Sequence, residues 1–195
     1  IEDKLNLKNK EIIFTSGASE ANNFVLKGLS TNKKHIISTP FEHSSIITPL
    51  GFLQKNGYKV DFVNVDEFGI VDIDNLKELI NEDTFLISIG AVNSEIGIRQ
   101  PIEEIAKLLK EDKYKDIYFH SDITQCLGKD KIDLTNVDLA SFSAHKIYSF
   151  KGIGGLIKNK DIKLNPLIHG GKSTSIYRSG TPQTELIDSI STAID

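Results

Sequence analysis

The chain has 195 residues, 39% hydrophobic and 26% charged, a balance that suits one soluble globular domain and excludes a disordered segment. Its 23 basic and 27 acidic side chains give a formal charge of -4, so nucleic acid is not an expected partner, and the Lys107 to Lys115 stretch, interleaved with Glu and Asp, reads as a solvated helix face. No apolar run approaches the ~20 residues that cross a bilayer, no signal-peptide pattern opens the chain, and the single Cys126 cannot close an internal disulfide, so a reducing, cytoplasmic setting is expected.

In chain order, Glu11 to Thr15 reads as a strand and Ser19 to Leu29 as a helix. His35 to Thr39 is the next strand, with a helix from Ser44 to Lys55. Tyr58 to Val63 and Thr84 to Val92 are further strands, separated by a short helix from Asp74 to Ile80. Pro101 opens a helix whose Ile102, Ile105, Ala106 and Leu109 fall at i, i+3, i+4 and i+7. Asp116 to His120, Val137 to Phe142 and Gly154 to Lys158 complete the strands. This alternation predicts crossover units and a mainly parallel sheet covered by helices on both faces. Ligands of such sheets sit beyond the carboxyl ends of the strands. Ser16 to Ser19, Glu42-His43, Asn93-Ser94, Asp122 and His145-Lys146 each follow a predicted strand, and should converge on that edge.

Each of these segments has a chemical reading beside a structural one. Gly17 permits a tight turn into a helix whose free N–H groups, with the Ser16 and Ser19 hydroxyls, would bind an anion; a serine N-cap is the alternative. Asp122, with Gln125 three residues on, matches a capping box, yet a carboxylate there could also hold a heteroaromatic nitrogen protonated. Lys146, after an apolar strand, would be partly desolvated, which favours the neutral amine that forms imines; a surface lysine is the alternative. His43 could stack on a flat ring, relay a proton or serve structurally. Cys126 has no evident basic neighbour and reads as a core residue. No metal-ligand spacing, P-loop or Gly-x-Ser-x-Gly motif is present.

Together, FTSGASEANN (14–23), EHSSI (42–46), AVNSEIG (91–97), HSDITQCLGK (120–129), VDLASFSAHKIY (137–148), KGIGGL (151–156) and YRSGT (177–181) resemble the class V aminotransferase group of fold-type I pyridoxal-phosphate (PLP) enzymes. Within it they look most like cysteine desulfurases of the nitrogen-fixation and iron–sulfur-cluster assembly type. The resemblance implies a three-layer α/β/α large domain over residues 1–195, without the family's N-terminal segment and C-terminal small domain; the absence of Met also suggests an excerpt or a processed chain. It implies PLP on Lys146 as the Schiff-base lysine, with Ala18, Ser19, Ser143 and His145 at the phosphate. Asp122 is then expected at the pyridine nitrogen, Gln125 at the ring hydroxyl, His43 on the ring face, and Thr181 at the phosphate of a neighbouring subunit in a homodimer. Lys146 and His43 would act in catalysis.

The implied reaction removes sulfur from L-cysteine, leaving alanine and a persulfide on a cysteine outside this chain, for an iron–sulfur scaffold or another sulfur acceptor. A related class V lyase or aminotransferase, or a non-catalytic PLP-domain fragment, is the alternative. Three departures stand out. Ser94 replaces a family asparagine that contacts cofactor and substrate, beside a matching Asn93; Ser149-Phe150 replaces Gly-Pro; and Lys172 to Ile176 lacks the family's Gly-, Glu- and Arg-containing stretch.

Overall fold

The computed structural model describes residues 2, 5, 7–171 and 175–194. Seven strands form one sheet in the order β1-β7-β6-β5-β4-β2-β3, namely β1 (Lys10–Thr15), β2 (His35–Ser38), β3 (Lys59–Phe62), β4 (Thr84–Ser88), β5 (Tyr118–Asp122), β6 (Leu139–Ser143) and β7 (Gly154–Asn159). From β6 through β5, β4 and β2 to β3 every pairing is parallel. β7 is antiparallel to both β6 and β1. Six strands therefore point one way and only β7 is reversed, so the carboxyl ends of β1, β2, β4, β5 and β6 share one edge.

The helices are α1 (Ala18–Gly28), α2 (Ser44–Lys55), α3 (Ile73–Leu79), α4 (Ile102–Leu108) and α5 (Thr184–Ile194). On one face Phe24 and Val25 of α1 and Ile46 and Leu50 of α2 pack against Ile36, Leu86 and Leu139 of the sheet. On the other, Leu76 of α3, Ile102 and Ile105 of α4 and Ile190 of α5 pack against Ile37, Ile87, Phe119 and Phe142. Alternate residues of one strand thus feed opposite layers, giving the expected α/β/α sandwich. The all-buried β4 is apolar throughout its middle because helices cover both its faces. No helix among the described residues is long and apolar enough to cross a membrane.

Four local expectations are corrected. The strand expected to reach Val92 ends at Ser88, and the Gly90 N–H is captured instead by the Glu42 carboxylate at 2.9 Å. The strand expected over Asp116 to His120 begins at Tyr118, since a 3-10 turn at Asp112–Tyr114 takes the Ile117 N–H onto the Tyr114 carbonyl. No helix follows Asp122. The Cys126 and Leu127 N–H groups both reach the Ile123 carbonyl, and the turn stops at Gly128 with φ 69°. The helix α5 has no counterpart among the expected elements.

Candidate active site

All five predicted segments meet in one cleft of about 470 Å³ at the carboxyl edge of the sheet. Ala18, Ser19, His43, Ser94, Asp122, Gln125, Ser143, His145 and Lys146 line it. Thr181 does not line this cleft; it lies exposed outside it.

The β1–α1 turn is shaped by Gly17, which has φ 152° and leaves α1 without a side-chain cap, so the serine-cap alternative is not what forms. The Ala18 N–H donates to Ser143 Oγ at 2.7 Å, tying the start of α1 to the end of β6. The hydroxyl hydrogen of Ser143 is thereby left to a third group, while Ser19 is exposed on the first helical turn. Glu20 reaches back to the Ser16 N–H at 2.8 Å and accepts from Arg178 Nε at 3.0 Å. Burial alone would raise the Glu20 carboxyl, but these donors hold it below the usual range.

Asp122 is the last residue of β5, and both its oxygens accept. The Thr124 N–H reaches Oδ1 at 3.0 Å, a turn bond in place of the expected capping box, since no helix follows and Gln125 turns to Lys129; Asn22 Nδ2 reaches Oδ2 at 2.8 Å. His43 caps α2 through Nδ1, which accepts from the Ser45 N–H at 3.1 Å and pairs with Ser45 Oγ at 2.8 Å. Its structural role is therefore real, and Nε2 remains for a ligand. Gln125 Oε1 accepts from Lys129 Nζ at 2.8 Å.

His145 and Lys146 occupy a 3-10 turn, Ala144–Ile147, immediately after β6. Both are exposed, which corrects the expectation of a desolvated lysine: the turn carries Lys146 past the strand end onto the rim. Partial desolvation, with the Lys146 and Lys151 charges, pushes the His145 imidazole below its ordinary value. Ser94, exposed, bonds to Glu95 at 3.2 Å, whereas Asn93 Nδ2 donates to the Phe41 carbonyl at 2.7 Å and pins the His43 loop. Ser149 Oγ pairs with Ser189 Oγ of α5 at 2.7 Å. Lys172 to Thr174, most of the third departure, lie outside the described residues.

Sequence reasoning passed over Asn22 and Thr124 here, and placed Glu42 at this edge without giving it a role. Asn22 lies four residues after Ala18, on the helix face that carries the anion turn, which is the signal that marks it. Glu42 accepts from Thr39 Oγ1 at 2.8 Å and from the Gly90 N–H at 2.9 and 3.1 Å. Burial of that carboxylate pushes it up to about 7, against those donors. Thr124 lines the cleft with a buried hydroxyl that has no partner among the described residues.

A helix start with hydroxyls, a fixed carboxylate, an imidazole face and a primary amine suit a flat anionic heteroaromatic ligand. The orphan Thr124 hydroxyl and the glycine-lined turn, where a Cβ on Gly17 would come 3.2 Å from Ser143 Oγ, leave room and a bonding need for one. The fold around this cleft is that of fold-type I pyridoxal-phosphate enzymes, as in a solved NifS-like protein with TM-score 0.93 and 39% identity, over 99% of this chain and 54% of that one. The aminotransferase class-V family model matches residues 1–195, and the chain belongs to that family. The cysteine desulfurase IscS of Dictyoglomus turgidum is 44% identical over all of this chain and 50% of its own length. The mitochondrial cysteine desulfurase of Saccharomyces cerevisiae is also 44% identical, over 94% of this chain and 38% of its own. A solved structure titled SspA in complex with cysteine superposes with TM-score 0.92 at 38% identity, over 100% of this chain and 57% of that one. The chain thus spans about half the length of the curated relatives it matches.

Proposed function

We propose that residues 1–195 form the cofactor-binding large domain of a PLP-dependent cysteine desulfurase. The observation that carries this reading is the meeting of Asp122, His43 and Lys146 with the α1 start in one cleft of the size a small cofactor and substrate require. Ser19, Ser143 and His145 would hold the phosphate, with Ala18, whose N–H is given to Ser143 Oγ, setting the helix start behind it; Asp122 would hold the ring nitrogen and Gln125 the ring hydroxyl. His43 would cover the ring face, and Thr181 would serve the site of a second copy. PLP, when bound, supplies an electron sink that weakens the carbon–sulfur bond of L-cysteine.

The chain's own groups then divide the work. The Lys146 amine would hold the cofactor and would move protons at the substrate Cα. Asp122, fixed at both oxygens, presents a negative charge of constant direction. The sulfur acceptor is not Cys126, which is fully buried with Sγ 3.9 Å from the Asp130 carbonyl, and whose thiol is pushed up by burial. A persulfide-bearing cysteine elsewhere in the whole protein, and an iron–sulfur scaffold or other acceptor beyond it, complete the reaction we propose.

The test is to add PLP to the chain, reduce with borohydride and map the pyridoxyl adduct by mass spectrometry. A single adduct on Lys146 is expected. Labels scattered over surface lysines, or none, would overturn the assignment.

A further inference from the structure

Asn22 is fully buried on α1 and touches three other elements at once. Its Nδ2 donates to Asp122 Oδ2 on β5 and to Ser45 Oγ on α2, each at 2.8 Å, and its Oδ1 accepts from the Ser141 hydroxyl on β6. A carboxylate cannot donate, so the amide nitrogen must face Asp122 and the oxygen must face Ser141. The directions of the remaining bonds follow. Ser141, having given its hydrogen to Asn22, accepts from His120 Nε2 at 3.1 Å, and His120 Nδ1 accepts from the Ser88 hydroxyl at 2.9 Å. On the other branch Ser45, accepting from Asn22, gives its hydrogen to His43 Nδ1 at 2.8 Å. Every hydrogen in this chain points from the buried sheet interior toward the cleft, where His43 is exposed.

We propose that Asn22 is a positioning residue: its amide, locked from behind by Ser141 and His120, fixes the Asp122 carboxylate in the one orientation that engages a protonated ring nitrogen in the cleft. This rests on the PLP reading above. Without the amide, Oδ2 loses its side-chain donor and the carboxylate keeps only the Thr124 N–H on Oδ1, about which it can swing. The same loss leaves Ser141 Oγ buried without its acceptor.

The experiment compares equilibrium binding of PLP and of its 1-deaza analogue, which carries C–H in place of the ring nitrogen, to the 195-residue chain and to Asn22→Ala. The parent is expected to prefer PLP by about tenfold or more, the scale of a hydrogen bond to a charged group. Asn22→Ala should bring that preference close to one. General loosening of the fold, or of His43, weakens both ligands alike and leaves the ratio unchanged, so an unchanged ratio in Asn22→Ala overturns the proposal. Ser141→Ala, which deletes one oxygen from a strand, guards against a misfolded first variant. It should lower the ratio partway, and a ratio equal to the parent's in both variants counts against the donor chain. If the parent binds neither ligand, the PLP reading itself fails and the role of Asn22 falls with it. If the parent binds both ligands equally, the PLP reading survives while the orientation argument does not.

Discussion

Ser143 Oγ accepts the Ala18 N–H at 2.7 Å, joining the last residue of β6 to the first of α1 across 125 positions of sequence. Both residues line the cleft and both are buried. The bond spends one of the free N–H groups at the helix start on the scaffold, and turns the Ser143 hydroxyl hydrogen into the donor available to a ligand. Ser143→Ala should therefore lower unfolding stability by about 1–3 kcal/mol, because the Ala18 donor is left buried and unpaired. Urea denaturation followed by far-UV circular dichroism measures this, and a change within experimental error would mean that water replaces the hydroxyl.

The same corner depends on Gly154, the first residue of β7. A Cβ there would collide with the Phe142 carbonyl oxygen and lie 2.7 Å from Gly17 Cα. Both obstacles are backbone, so no side-chain rotation relieves them. Gly154→Ala should cost about 3 kcal/mol or more, by forced displacement of β6 or of the Gly17 turn. At Gly152, φ 85° with nothing within 4 Å of an added Cβ, alanine should cost less, through backbone conformation alone. Thermal unfolding of the two variants side by side checks the order; a Gly152→Ala loss equal to or above that of Gly154→Ala would refute the close-approach argument.

These contacts show what a sequence carries and what it does not. Strand and helix order was readable because the burial demands are local: Ile102, Ile105 and Ala106 face the core at helical spacing, and Phe85, Leu86 and Ile87 face both layers. The site edge was readable because each polar segment follows an apolar run. The partners of those polar residues were not. Asn22 meets Asp122 and Ser141 only once the β1–α1 unit lies beside β5 and β6, at separations of 100 and 119 residues. Lys158 looks like a surface lysine in sequence, yet it is fully buried, with Nζ 2.7 Å from the Ile162 carbonyl and 2.5 Å from Glu11 Oε1. The α5 stripe of Leu186, Ile187, Ile190 and Ile194 does have helical spacing, a signal that motif spacing does not capture.

Cys126 gives a prediction about reactivity. Its thiol is enclosed by the core and burial raises its pKa, with the Arg99 charge opposing that rise. Native chain treated with iodoacetamide at neutral pH should stay unmodified over a period in which urea-unfolded chain is fully alkylated. Mass spectrometry of the intact chain reads the difference. Alkylation of the native form at a rate near that of the unfolded form would return Cys126 to consideration as a sulfur-accepting group.

Two groups close to Asp122, the half-buried Glu42 and the buried His120, should pull stability in opposite directions with pH. Burial raises the Glu42 carboxyl from 4.5 to about 7, with a smaller push from the Asp122 charge. Folded chain then holds a proton that unfolded chain has lost, so this contribution is greatest below pH 4.5 and disappears as pH rises to about 7. Burial lowers the His120 imidazole from 6.5 to about 4, against the Asp122 charge. Here unfolded chain takes up the proton first, so the contribution is full above pH 6.5 and disappears as pH falls to about 4. Each window is worth at most about 3 kcal/mol, and between pH 4.5 and 6.5 the two slopes offset each other. Glu42→Gln removes only the first. Over that interval the stability of the variant should rise with pH more steeply than the parent's, by up to about 3 kcal/mol. Urea midpoints at a series of pH values provide the comparison, and the difference between the two chains cancels every other titrating group. Parallel curves for parent and variant would show that Glu42 titrates alike in folded and unfolded chain, so that its bonds from Thr39 and Gly90 balance the cost of its burial.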